Sequence, residues 1–158
     1  GKKYLPTKDE YGLNAFTREI ATEFSNEVKE DKKFKIDFKK YILYINELVK
    51  YVCEDLQIKR PEIKIINNSN YALENKSFGG YQPGANKINL VIKGRNLSDT
   101  LRTLTHEMRH MKQDIDGVLT NESGKDGSEH ENECNSYSGK IMREFNRKHP
   151  EILTLVNV

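Results

Sequence analysis

The residue types best suited to chemistry stand close together in the run Thr-His-Glu-Met-Arg-His, which ends at His110. Its His-Glu-x-x-His pattern places His106 and His110 one helical turn apart, so both imidazoles can reach one zinc ion. Glu107 lies beside them, where its carboxylate can take a proton from a water molecule that the metal activates. The pattern therefore predicts a zinc site with Glu107 as general base. The alternative is a pair of exposed histidines on a solvated helix face, with no metal.

A helix must carry this motif, and the sequence predicts one over residues 99–115. Apolar residues recur at alternating spacings of three and four and form one stripe, which consists of Leu101, Leu104, Met108, Met111 and Ile115. At about 100° per residue, both histidines fall on the side away from that stripe. Ser98 is expected to cap the start of the helix and Gly117 to end it. The histidines are thus expected to point away from the main core, where a cleft can form.

A catalytic zinc site normally has three protein ligands and one open position, so a third ligand must come from elsewhere. Asp116 stands six residues after the second histidine, but the turn that it needs would require a glycine where the chain has Gln113. A later helix, expected over residues 129–147, offers Glu131 on the flank of its apolar stripe. Asn135, one turn further on, can hydrogen-bond a liganding histidine and fix its orientation. The spacing therefore favours Glu131 as the third ligand.

Hydrolysis also needs a donor that stabilises the developing oxyanion. Tyr81, Tyr137 and His130 are the candidates near the motif. Tyr137 lies on the packing stripe of the last helix, and Tyr81 can pack across strands, so both have structural alternatives. His130 could instead be a fourth protein ligand, which would close the site and make the zinc structural. The neighbouring acids Glu129 and Glu133 are expected on a solvated face.

The remaining elements must position these residues, and their order predicts an α+β fold in one domain, residues 1–158. Helices come first, strands follow Pro61, and two helices end the chain, which differs from alternating βαβ units. Residues 1–12 are expected to be a loose lead-in, residues 13–60 a helical scaffold and residues 61–158 the sheet and the site helices.

Within these parts, helices are expected at residues 13–29 and 37–56, and strands at residues 62–66, 77–82 and 87–92. The last two strands form a hairpin in a short twisted sheet. The adjacent Gly79 and Gly80 are typical of a bulge or of a close backbone approach.

Composition narrows the class of protein. The 26 basic and 24 acidic residues nearly cancel, which argues against a non-specific nucleic-acid binder. A DNA-associated module could use the basic pairs at 32–33 and 39–40, but nearby acids offset both. No apolar run approaches the roughly 20 residues of a membrane span, and no signal-peptide pattern is visible. Two cysteines make no disulfide framework, so a soluble, cytoplasmic protein is expected.

The two ligand-bearing segments, HEMRH at 106–110 and ENECN at 131–135, resemble the glutamate-type zincin metallopeptidases. The signature of that family is His-Glu-x-x-His, followed on a later helix by Glu-x-x-x-Asp or Glu-x-x-x-Asn. The similarity covers about residues 77–147. It extends to small repressor-cleaving and stress-response peptidases and to zincin-like proteins of tailed phages. Cys134 departs from the pattern, because a small alanine is common at that position.

The resemblance implies a zinc-dependent metallopeptidase with a protein or peptide substrate. It implies that His106, His110 and Glu131 bind one zinc ion per chain, that Glu107 is the base and that Asn135 supports a ligand. An extended substrate could pair with the hairpin strand. The alternative function is a non-catalytic zinc protein with a structural or regulatory role. A phage-encoded protein of either kind would work in the bacterial host cytoplasm or in the virion.

Overall fold

The structure is a computed structural model and describes residues 32–68, 70, 78–123 and 125–157. It confirms the α+β class. The lead-in and the first helix expected over residues 1–29 lie outside the described residues. The elements in chain order are helix α1 (Lys32–Leu56), strands β1 (Glu62–Ile66), β2 (Gly79–Gln82) and β3 (Lys87–Val91), helices α2 (Leu97–Ile115) and α3 (Glu129–Lys148), and a 3₁₀ turn (Pro150–Thr154).

Helix α1 forms because its apolar residues follow the helical repeat and face the core. The buried stripe contains Tyr41, Ile42, Ile45, Leu48, Val49 and Val52, as the sequence predicts. The helix begins at Lys32 rather than at residue 37. In the parts of the chain that the structure covers, no helix combines the length and the apolar character that crossing a bilayer requires.

The three strands form one sheet in the order β1-β3-β2, with β1 parallel and β2 antiparallel to β3. Ile63 and Ile65 of β1 and Ile88 and Leu90 of β3 are fully buried on one face. The Val91 N–H donates to the Phe78 carbonyl at 2.9 Å, which sets the register of the hairpin. In an antiparallel pair such bonds recur at every second residue. The N–H of Tyr81 therefore points away from β3, towards helix α2.

The start of helix α2 differs from the expectation. Asn96, not Ser98, is the N-cap, and its side-chain oxygen accepts a hydrogen bond from the Ser98 N–H at 2.7 Å. A contact with a distant part of the chain fixes the start of the helix, because the Leu97 N–H donates a hydrogen bond to the Leu155 carbonyl at 2.7 Å. The end of the helix is as predicted, since Gly117 has a φ of 75° just past the last turn.

Helix α2 packs on the sheet and on α1 through its apolar stripe, and α3 packs along α2. The stripe of α2 is buried except at Ile115, which is 56% exposed, because the core ends before the last turn. The buried face of α3 consists of Cys134, Ser138, Ile141, Met142 and Phe145. Ser128 caps α3 by accepting a hydrogen bond from the Glu131 N–H at 3.1 Å. This cap fixes where Glu131 emerges beside α2.

Candidate metal centre

Three potential ligand side chains meet where the first turn of α3 lies against α2. The Nε2 atom of His106 is 2.8 Å from Oε1 of Glu131, and Nε2 of His110 is 2.9 Å from Oε2 of the same carboxylate. Their ligand atoms all lie within 4.8 Å of one another. Two imidazoles and one carboxylate form a donor set that zinc accepts. His106, His110 and Glu131 could therefore hold a metal ion.

The surroundings of His106 favour the neutral imidazole, which is the form that binds metals. Burial lowers the pKa of His106 because desolvation disfavours the imidazolium, and the negative charge of Glu131 opposes this effect. The Asn135 side chain hydrogen-bonds the His106 ring. Asn135 therefore stands where it can orient the first histidine.

The surroundings of His110 contain a residue whose role the sequence did not indicate. Gln113 is 1% exposed, and its Oε1 lies 2.8 Å from Nδ1 of His110. Its Nε2 donates to the His130 carbonyl at 3.0 Å and to Oε1 of Glu133 at 2.9 Å. Glu133 also pairs with Nη2 of Arg109 at 2.7 Å. Glu133 is exposed, as the sequence predicts, and its carboxylate also reaches back to α2.

Glu107 lies beside the ligands and is held by the edge strand. Its carboxylate accepts a hydrogen bond from the Tyr81 N–H. Burial and the nearby Glu131 carboxylate raise the pKa of Glu107 to about 7, while the neighbouring His110 and the hydrogen bond from Tyr81 act in the opposite direction. The carboxylate thus has a fixed position next to the three ligand atoms.

The edge strand comes this close because residue 79 has no side chain. A Cβ at Gly79 would lie 2.5 Å from Cγ2 of Thr103 and 3.5 Å from Cγ of Glu107. The first distance is too short for two carbon atoms, so any larger residue would push β2 off α2. The close approach that the glycine pair indicated is therefore found at Gly79, whereas a Cβ at Gly80 would meet no heavy atom within 4 Å.

A cavity of about 380 Å³ opens over this group. Its lining includes the ligands and Glu107, together with two other parts of the chain. The hairpin contributes Gly80, Tyr81 and Pro83, and the loop between α2 and α3 contributes Leu119, Thr120 and Ser123. The potential metal ligands are therefore accessible from an open cavity.

Of the three oxyanion candidates, only Tyr81 lines the cavity. Its hydroxyl donates to Oδ2 of Asp114 at 2.6 Å, and the same oxygen accepts the Gly84 N–H at 2.9 Å. Burial and the Asp114 hydrogen bond raise the pKa of Tyr81 to about 12, so the hydroxyl keeps its proton. In this structure, therefore, the hydroxyl joins the hairpin turn to the end of α2.

The other two candidates do not line this cavity. The Tyr137 hydroxyl donates to Oδ2 of Asp55 at 2.6 Å, which turns it towards α1. His130 directs Nδ1 to the Ser123 hydroxyl at 2.7 Å and contributes no atom to the ligand group. It is therefore not a fourth ligand in this structure. Asp116 also stays outside the group and pairs with Nζ of Lys112 at 3.2 Å.

Comparison of the chain with protein-family models, with curated proteins and with solved structures finds no significant match.

Proposed function

We propose that this protein is a zinc-dependent hydrolase that cleaves peptide bonds, with zinc held by His106, His110 and Glu131. The observation that carries the proposal is the meeting of these three side chains beside the Glu107 carboxylate, at the wall of an open cavity. Three protein ligands leave one coordination position for a water molecule or a substrate, as catalytic zinc requires.

The contacts around the ligands support zinc rather than an accidental cluster. Both imidazoles have an amide side chain beside them, Asn135 at His106 and Gln113 at His110. Such contacts fix the orientation and the tautomer of liganding histidines in known zinc sites. An exposed acidic cluster that lacks a metal has no need of a buried amide such as Gln113 beside an imidazole.

The proposed chemistry divides between the metal and Glu107. When bound, zinc lowers the pKa of water towards 7 and polarises the substrate carbonyl. Glu107 takes a proton from the attacking water and delivers it to the leaving amine. The hydrogen bond from the Tyr81 N–H orients the Glu107 carboxylate.

A peptide substrate is supported by the strand that borders the cavity. Gly80 and Tyr81 of β2 line it, and among the described residues β2 pairs on one side only, with β3. The Tyr81 N–H is bonded to Glu107, so an extended peptide would form main-chain hydrogen bonds with other backbone groups that border the cavity, as peptides do at a strand edge. Pro83 and Leu119 add apolar surface for its side chains.

The experiment that tests the proposal measures metal content and hydrolysis together. Elemental mass spectrometry of the reconstituted protein is expected to give about one zinc per chain. A mixture of quenched fluorescent peptides is then the probe for cleavage. Glu107→Gln is expected to keep the zinc and to lose cleavage, because the amide cannot accept the proton. No zinc in the reconstituted parent would overturn the proposal, and zinc without any cleavage would leave a structural zinc protein.

A further inference from the structure

We propose that Gln113 is a positioning residue that fixes which ring nitrogen of His110 faces the metal; this inference rests on the proposed zinc site. Gln113 stands one turn after His110 on α2, in the interface with α3. It is 1% exposed, so water has little access to replace its hydrogen bonds. Its side-chain amide makes three polar contacts, and each of them joins a part of the site.

The partners of Gln113 determine the orientation of its amide. The amide nitrogen carries two protons and the amide oxygen only accepts. Nε2 meets the His130 carbonyl at 3.0 Å and the Glu133 carboxylate at 2.9 Å, and both of these groups accept hydrogen bonds. Rotation of the amide by half a turn would place its oxygen against two other acceptors. The oxygen must therefore face His110.

The orientation of the Gln113 amide determines which nitrogen of the His110 ring carries the proton. Oε1 of Gln113 lies 2.8 Å from Nδ1 of His110, so Nδ1 must be the nitrogen that carries the proton. The lone pair of the neutral ring is then on Nε2, the atom that lies 2.9 Å from Glu131 in the ligand group. Gln113 thus presents His110 to the metal through Nε2.

The Gln113 amide also connects the two helices that carry the proposed ligands His110 and Glu131. The carbonyl that Gln113 holds belongs to His130, the residue directly before Glu131. The Glu133 carboxylate that it holds is paired at 2.7 Å with Arg109, the residue directly before His110. The Gln113 side chain therefore fixes the position of the His110 ring relative to the backbone next to Glu131.

Zinc affinity gives the first test. Gln113→Met keeps a similar side-chain length and removes all three hydrogen bonds. We expect zinc binding, measured by competition with a chromophoric chelator, to be about 10–100-fold weaker than in the parent, as for other residues that support metal ligands. Glu133→Ala is the matched control, because it breaks contacts between α2 and α3 but leaves the Gln113–His110 bond. Its affinity is expected to stay much closer to that of the parent.

A spectroscopic readout separates positioning from a general weakening of the fold. With Co²⁺ in place of zinc, paramagnetic NMR resolves the ring N–H protons of the liganding histidines. In Gln113→Met, the His110 signal is expected to be lost to exchange with water, while the His106 signal remains. Asn135→Ala should give the opposite pattern. If Gln113→Met does not fold, the double variant Gln113→Glu/Glu133→Gln restores an oxygen beside His110 and should keep its signal.

The possible failures are distinguishable. A parent that binds no metal overturns the proposed function and this inference with it. A parent that binds one zinc, with Gln113→Met equal to it in affinity and in the His110 signal, overturns only the role of Gln113. An equal loss of affinity in Gln113→Met and Glu133→Ala, with both N–H signals intact, would also overturn it, because the contact would then serve only helix packing.

Discussion

The backbone N–H of Tyr81 donates a hydrogen bond to the carboxylate of Glu107, so a strand, and not its own helix, holds the candidate base. The bond joins β2 to α2 at the point where the sheet edge borders the cavity. It exists because the side-chain-free Gly79 lets the strand approach the helix.

The first prediction follows from this approach. Gly79→Ala should destabilise the protein by about 1–3 kcal/mol, the usual cost of overpacking, because the new methyl group would lie 2.5 Å from Cγ2 of Thr103. Chemical denaturation measures the loss. Gly80→Ala is the control, since its methyl group meets nothing within 4 Å. Adding Thr103→Ser to Gly79→Ala removes the clashing methyl group and should recover stability; an additive double variant would contradict this explanation.

The second prediction concerns metal removal. Ligands that bind only the folded state stabilise it, by about 2.7 kcal/mol at a concentration 100 times Kd. Excess zinc should therefore raise the Tm of the parent in a thermal unfolding experiment, and a chelator should reverse the rise. Glu131→Ala should show no rise. Glu129→Ala should respond like the parent, because Glu129 is an exposed acid in the same helical turn and lies outside the ligand group.

The third prediction concerns alkaline pH. Tyr41 is 1% exposed, its hydroxyl bonds Thr100 and the Arg95 carbonyl, and burial raises the pKa of Tyr41 well above its ordinary value of 10. The folded state thus keeps a proton that the unfolded state loses above pH 10. Stability from this group is complete below pH 10 and falls above it, by up to about 1.4 kcal/mol per pH unit.

Tyr41→Phe tests this dependence. The variant should be less stable than the parent at pH 7, because the Thr100 hydroxyl loses a buried partner. The difference in unfolding free energy should shrink between pH 10 and pH 12, since phenylalanine has no proton to lose. Urea denaturation at several pH values measures both curves. Parallel curves would show that Tyr41 ionises with similar ease in both states.

The fourth prediction concerns the cap of helix α2. Asn96→Ala should cost about 1 kcal/mol, because it removes the acceptor for the Ser98 N–H and the 2.8 Å bond from its Nδ2 to the Leu153 carbonyl. Ser98→Ala should cost less, since the one hydrogen bond of its side chain within the described residues is a long contact of 3.5 Å with Asn146. Thermal unfolding compares the two variants. A larger loss of stability in Ser98→Ala than in Asn96→Ala would indicate that Ser98 is the N-cap.

The sequence predicts well the features that depend on spacing within one element. The 3.6-residue repeat places His106 and His110 on one face of α2, and a single turn separates Glu131 from Asn135 on α3. The cap is harder to predict, because Asn96 and Ser98 are both good capping residues two positions apart. The choice depends on the Leu155 carbonyl, which reaches Leu97 from far along the chain.

The spacing of residues within one helix or strand does not predict the contacts between elements. In the sequence, Gln113 is notable only because it stands where the Asp116 alternative would require a glycine. Its hydrogen bonds to α3 depend on how the two helices pack, which the sequence does not show. Tyr137 sits on the edge of a packing stripe, and nothing local indicates that its hydroxyl turns to Asp55, 82 positions away in the chain.

The loop between Gly117 and Ser128 can change in length without moving the candidate metal ligands. It contributes Leu119, Thr120 and Ser123 to the cavity, yet the ligand-bearing helices on either side are held by the core and by their own caps. Doubling the length of a flexible loop costs only about 0.6 kcal/mol of closure entropy. Insertions here can therefore reshape one wall of the cavity without moving His106, His110 or Glu131, so the shape of the cavity can change independently of the candidate metal ligands.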